Sequence, residues 1–165
     1  MQNYLLKKYG IPRVVTHTTR AKRKGEKDGV DYYFETPVSF APKHYFESVT
    51  YDGKRYGSSR EGLEQAWQKN SIVSLVVDTA GAVEYVKRLG KQVNVWHIEV
   101  SDKEALKERL LARGDDAQTV EQRINSFESQ RDLQIPAEIQ NNTQVIVNDC
   151  WEKTTQLIDQ LIQKR

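Results

Sequence analysis

The chain has 165 residues, 38% of them hydrophobic and 29% charged, which is the make-up of one globular domain long enough to bury a core. No apolar run approaches the roughly 20 residues of a membrane-spanning helix, and Met1 to Tyr4 lead into no apolar stretch, so neither membrane insertion nor a secretory signal is expected. With 25 basic against 23 acidic side chains the net charge is only +2, too near neutral to announce a nucleic-acid binder. The lone Cys150 agrees with a reducing cytoplasm and reads as a core filler rather than a nucleophile.

In chain order, Tyr4, Leu5 and Leu6 belong to the end of a helix stopped at Gly10 and Pro12, and Val14 and Val15 open a strand. From Lys7 to Lys27 the basic residues Lys7, Lys8, Arg13, Arg20, Lys22, Arg23, Lys24 and Lys27 face only Glu26, a local excess suited to an anion. Arg20 to Ser58, with Gly25, Gly29, Gly53, Gly57 and several aromatic residues, reads as an inserted lobe of short strands. Helices are expected over Ser59 to Lys69, Ala80 to Leu89, Asp102 to Arg113, Val120 to Leu133 and Trp151 to Gln163. The apolar runs Ile72 to Val77, Val93 to Val100 and Val145 to Val147 fit strands covered on both faces. Strands alternating with helices imply an α/β fold with a parallel sheet, whose ligands bind beyond the carboxyl ends of the strands. A polar loop around Gly114, between Arg109 and Arg123, reads as mobile.

Four clusters carry candidate chemistry. Arg20 and Arg23, three apart after a strand and followed by Tyr32, can clamp a phosphate through paired charge-assisted hydrogen bonds; a solvated basic loop is the ordinary alternative. Glu47 can accept both adjacent donors on the pairing edge of a guanine, an edge on which adenine has no such pair, while Thr16 and Ser58 could reach the ring's acceptor atoms. Alone, such a Glu is usually solvated surface. Asp78 ends an apolar run where the next helix begins, at the ligand edge of a parallel sheet, although capping that helix is an equal claim on it. Arg109, Arg113 and Arg123 flank the mobile loop and could neutralise a transferring phosphoryl group, or simply lie in solvent.

Taken together and in order, these stretches resemble the guanylate kinase family along the whole chain. The resemblance is carried by VVTHTTRAKRKGEKDGVDYYF, KRYGSS, ERLLARGDD and VIVND. It implies a P-loop-kinase-like parallel sheet with flanking helices in a single domain over 1–165: core 1–19, 59–108 and 124–165, a GMP-binding lobe over 20–58 and a helical lid over 109–123. By the same resemblance Arg20, Arg23, Tyr32 and Tyr56 would hold the GMP phosphate, and Thr16, Glu47, Ser58 and Asp78 would recognise guanine. Arg109, Arg113 and Arg123 match lid positions that engage ATP phosphates, and Asn148 lies where the family approaches adenine.

The family reaction moves the terminal phosphoryl of ATP onto GMP with magnesium, giving GDP and ADP. It uses a strand followed by GxxxxGK[ST], a pattern these 165 residues do not contain; Gln2 to Tyr9 match the latter part of the helix that would follow it. The expectation is therefore a chain that starts downstream of that loop, with the central first strand absent and little activity alone. The resulting slot in the sheet would be closed by its neighbours, filled from another chain through self-association, or left open. Val76 and Ala80 stand where family enzymes carry an acid and a glutamine, and the stretch from Phe34 to Glu47 is short. The enzyme reading leads, with a cytoplasmic GMP and ATP chemistry. The alternative is a non-catalytic guanylate-kinase-like module for phosphopeptide or protein partners. Nucleic-acid binding ranks third.

Overall fold

The computed structural model describes residues 1–51, 53–112 and 114–164, with Lys103, Arg123 and Glu128 described by backbone alone. They form two compact units, residues 1–85 and 86–165.

The first unit opens with α1 (Gln2–Tyr9), which buries Leu5 and stops at Gly10 as its sequence predicts. The chain then runs extended: Val14 N donates to Ser74 O at 2.9 Å and Ser74 N to Pro12 O at 2.8 Å. After β1 (His17–Thr18) come β2 (Tyr33–Phe34), the single-turn α2 (Pro37–Phe40), β3 (Tyr45–Tyr51) and β4 (Lys54–Ser59). Together the strands form a four-stranded sheet in the order β2-β1-β4-β3, parallel between β1 and β2 and antiparallel elsewhere. Three of these strands fall between Arg20 and Ser59, where short strands are expected, and His17 and Thr18 join them from before it. Thr36 caps α2 through a reciprocal hydrogen-bond pair with Ser39, which drives Phe40 into full burial. Ser59 ends β4 and caps α3 (Arg60–Trp67) by accepting from Gly62 N. The unit finishes in the first part of α4 (Thr79–Leu89), which buries Ala82, Val83 and Tyr85.

Two expected strands differ. The strand opened by Val14 and Val15 takes its ladder only at His17, and the run from Ile72 to Val77 makes one isolated parallel bridge, Arg13 to Ser74. Val76 is 68% exposed, the opposite of a strand covered on both faces. An apolar β-branched run favours an extended backbone, but a strand exists only where a neighbour supplies hydrogen bonds along it.

In the second unit β5 (Val95–Glu99) pairs in parallel with β6 (Thr143–Val147), from Val95 opposite Thr143 to Glu99 opposite Val147. These two strands are the named parallel ladder of the unit, a smaller piece of parallel sheet than the sequence implied, and β6 is the only ladder partner of β5 among the described residues. Helices α5 (Lys103–Ala112), α6 (Ala117–Ile124), α7 (Phe127–Asp132) and α8 (Trp151–Gln163) complete it. The single helix expected over Val120 to Leu133 is two, because Ser126 accepts from Ser129 N and starts a new helix. Val120, Ile139, Ile146 and Ile158 are fully buried, whereas Ile98, Val145 and Val147 are more than two-fifths exposed. Cys150 is exposed rather than in the core, since it stands in the short link between β6 and α8. Among the described residues no helix is long and apolar enough to cross a membrane.

Candidate functional site

The candidate site of the first unit is built on β3 and β4. Their pairing sets Tyr45 opposite Ser59 and Glu47 opposite Ser58, so Phe46 is an extra residue on β3. That bulge decides which side chains meet: Glu47 falls beside Ser58, and the Phe46 ring stacks on Tyr85 of α4 with centroids 4.3 Å apart. Glu47 Oε1 accepts from Ser58 N at 3.1 Å and from Ser58 Oγ at 2.7 Å. Ser58 Oγ in turn accepts from the Tyr85 hydroxyl at 2.8 Å. Ser58 is fully buried and Glu47 nearly so.

Burial pushes the Glu47 carboxyl above the usual carboxylate range; the two Ser58 bonds pull against that rise and the charge of Asp78 adds to it. Asp78 Oδ1 accepts from Gly81 N at 2.7 Å, closing the first turn of α4. Asp78 is thus a helix cap, and it also lies within electrostatic reach of Glu47. The absence of a side chain at Gly81 makes room for this: a Cβ there would lie 3.1 Å from Glu47 Oε2 and 3.3 Å from Asp78 Oδ1. Gly57 makes room in the same way on β4, where a Cβ would stand 2.6 Å from the Tyr45 ring.

A second cluster shares the sheet. Arg20 lies with its guanidinium carbon 5.4 Å from the Tyr32 ring centroid and 5.9 Å from that of Phe34, while Tyr32 meets Tyr56 edge to face at 6.3 Å. Arg20 also pairs with Glu26 at 2.7 Å, and the other Glu26 oxygen accepts from Arg23 N. Burial works against the Glu26 charge, but the bonds from Arg20 and Arg23 outweigh it and hold the carboxyl below its ordinary range. Burial, with Tyr56 adding to it, pushes the Tyr32 phenol up and keeps it a neutral donor. Tyr56 and Ser58 are two apart on β4, so they project on one face of the sheet about 7 Å apart along the strand. Thr16 adjoins β1, its carbonyl accepting from Tyr33 N at 2.8 Å. The structure therefore gathers Glu47, Ser58 and Asp78 in one group and Arg20, Tyr32 and Tyr56 in another, with a cation over aromatic rings in one and an acceptor-rich carboxylate in the other.

Between them, sequence reasoning missed two supports. Tyr85 falls inside the helix expected over Ala80 to Leu89 with nothing in the pattern to single it out, and the structure brings its hydroxyl to Ser58. His17 is buried between β2 and β4, stacked on Tyr33 and bonded through Nδ1 to Glu35 at 2.8 Å and through Nε2 to Ser59 Oγ at 3.0 Å. A polar histidine inside the strand signal was its one trace in the sequence.

In the second unit, Arg109 Nη1 donates to Asn148 O at 2.6 Å and Nη2 to Asp149 O at 3.1 Å, so the lid arginine and the adenine-side candidate come together. Asn148 Oδ1 accepts from Thr154 Oγ1 at 3.0 Å. Arg113 lies outside the described residues, as does the side chain of Arg123. Among the described residues no group of three or more His, Cys, Asp or Glu is placed to hold a metal ion.

Comparison with known proteins identifies a family for the whole chain. The family model described as "Guanylate kinase" matches residues 1–165. A guanylate kinase of Saccharophagus degradans is 33% identical over 143 residues, covering 84% of this chain and 67% of the relative. That of Anaplasma phagocytophilum is 32% identical over 169 residues, covering 97% and 77%. The crystal structure of guanylate kinase from Anaplasma phagocytophilum superposes with a TM-score of 0.73 at 28% identity, over 98% of this chain and 78% of that one. With the match running from the first residue to the last and the α/β architecture shared, the chain belongs to the guanylate kinase family.

Proposed function

We propose that this chain binds GMP, with Glu47 reading the guanine and Arg20, Arg23, Tyr32 and Tyr56 holding the phosphate. The observation that carries the reading is the Glu47 carboxylate, built into β3 with Ser58 on one oxygen and Asp78 nearby, on the sheet face that also carries Tyr56. An ionised carboxylate accepts from both adjacent donors on the guanine edge, whereas adenine presents only its 6-amino group there. Thr16 adds a hydroxyl beside β1, and Asp78 a second acceptor. Family membership supports the same assignment, as do the relatives named guanylate kinase.

In the family, catalysis is a transfer from ATP to GMP with magnesium, driven by positioning and charge neutralisation. Arg109, Arg113 and Arg123 are the residues of this chain suited to the ATP phosphates, and Asn148 to adenine. These 165 residues hold no GxxxxGK[ST] segment to grip the donor, so GMP binding without phosphoryl transfer is the activity proposed for this chain alone. The reading places it in the cytoplasm, where nucleotides are abundant and Cys150 stays reduced.

Calorimetric titration tests this. GMP should bind and AMP should not, and Glu47→Gln should lower GMP affinity roughly 100-fold, because the amide turns one acceptor into a donor facing a donor. Absence of GMP binding by the unmodified chain would overturn the reading. It would favour the second one, a binding module for phosphorylated peptides, for which the exposed Val76 and the Ala80 beside Asp78 are the supporting observations.

A further inference from the structure

The Tyr85–Ser58–Glu47 chain links α4 to the base reader through two hydrogen bonds, and its hydrogens can be placed by elimination. An ionised Glu47 can only accept, so the 2.7 Å contact uses the Ser58 hydroxyl proton. With that proton committed, Ser58 Oγ can only accept from Tyr85, whose phenol is the donor at 2.8 Å. Each donor strengthens the next, since a hydroxyl that accepts a bond becomes a better donor. Tyr85 itself is buried and held by its stack on Phe46, the bulge residue next to Glu47. The network is thus fixed at both ends: the ring packs against the strand carrying Glu47 while its hydroxyl directs the neighbour that holds Glu47 in place.

We infer that Tyr85 is a positioning residue of the guanine reader, which commits the single Ser58 hydroxyl proton to Glu47 Oε1 and so fixes Glu47 as an acceptor with Oε2 over Gly81. This rests on the reading of Glu47 as the residue that meets guanine. Its consequence is that Ser58 acts on the base through Glu47, since the side chain is fully buried and its proton is already used. Oε2 lies against the first turn of α4, whose peptide dipoles favour a negative charge there. The groups bearing on the Glu47 carboxylate are Ser58 from β4, Asp78 and Gly81 at the start of α4, and Tyr85 through Ser58.

Tyr85→Phe removes the phenol and keeps the ring, so the stack on Phe46 survives and melting temperature serves as the folding control. In the ligand-free protein, carbon-13 detection of the Glu47 carboxyl follows its titration directly. The midpoint should move upward by about half a pH unit in Tyr85→Phe, because Ser58 is freed to turn and donates less strongly. In a Ser58→Ala background the same change should leave the midpoint where it is. By calorimetry, GMP affinity should fall roughly 5- to 10-fold in Tyr85→Phe while that of ribose 5-phosphate, which lacks the base, stays constant. An unmoved Glu47 midpoint, or an equal loss for both ligands, overturns the inference and leaves Tyr85 a packing residue. If the unmodified chain binds no GMP, the guanine reading fails, and the carboxyl titration still decides whether Tyr85 governs Glu47.

Discussion

Glu47 takes both donors of Ser58, the amide at 3.1 Å and the hydroxyl at 2.7 Å, on one carboxylate oxygen. Even so, burial leaves its carboxyl easier to protonate in the folded chain than in the unfolded one. Between the ordinary glutamate range and the raised folded value, the native state holds a proton that the unfolded state has released, so stability falls as pH rises through that window. Glu47→Gln should therefore stabilise the ligand-free protein at neutral pH, by on the order of 1 kcal/mol for each unit of the rise. Thermal melts of the two proteins at neutral pH and near pH 4 check this: the gain should be present at the first and shrink at the second.

Gly81 offers a separation of binding from stability. Alanine in a helix interior is favoured over glycine by about 1 kcal/mol, while a Cβ 3.1 Å from Glu47 Oε2 and 3.0 Å from the Val77 side chain crowds both. In Gly81→Ala the two effects nearly offset in the melt, and the displaced carboxylate loses GMP affinity roughly 10-fold. Paired melting and calorimetry show whether the loss is specific to binding.

Arg20 is held by Glu26 and by the faces of Tyr32 and Phe34, a fit that depends on a flat guanidinium. A lysine keeps the charge but neither the stacking nor the paired donors. Arg20→Lys should weaken GMP and ribose 5-phosphate alike, by roughly 10-fold or more, in contrast to the base-specific loss expected at Glu47.

Glu35 is the anchor of a buried network, accepting from His17 and Ser39 and pairing with Lys43 at 3.2 Å. Burial opposes its charge, but the bonds from Ser39, His17 and Lys43 win and depress its carboxyl. A depressed carboxylate stabilises the fold above the unfolded glutamate range, and that contribution disappears as pH falls through the lower folded value. Glu35→Gln should cost about 1–3 kcal/mol at pH 7, and the difference from the unmodified chain should close in denaturant melts taken well below pH 4.5.

Much of this architecture is legible in the residues. Trp151 to Gln163 has a helical period and becomes α8 without change, and the aromatic, glycine-punctuated stretch up to Ser58 becomes the small sheet. What the sequence does not carry are the relations that depend on a partner. The run Ile72 to Val77 has the composition of a buried strand, yet composition does not supply the neighbour that would complete its ladder. The bulge at Phe46 leaves no mark in the residue pattern, and it alone decides that Glu47 meets Ser58 and that Tyr85 meets both through it. A second helix start at Ser126 was available to be read, but an uninterrupted helical period on either side concealed it.

The strand order has a consequence for how the two sheets come apart. β4 lies between β1 and β3, so Tyr56 and Gly57 are paired with a strand on each side, and Glu47, on the edge strand β3, is held against the strand that opens last. β5 has one ladder partner among the described residues, and Ile98 within it is 43% exposed. Amide protons of β5 should therefore exchange with solvent well before those of β4, which separates the local lifetime of the strand that supports Glu47 from that of the second unit's ladder.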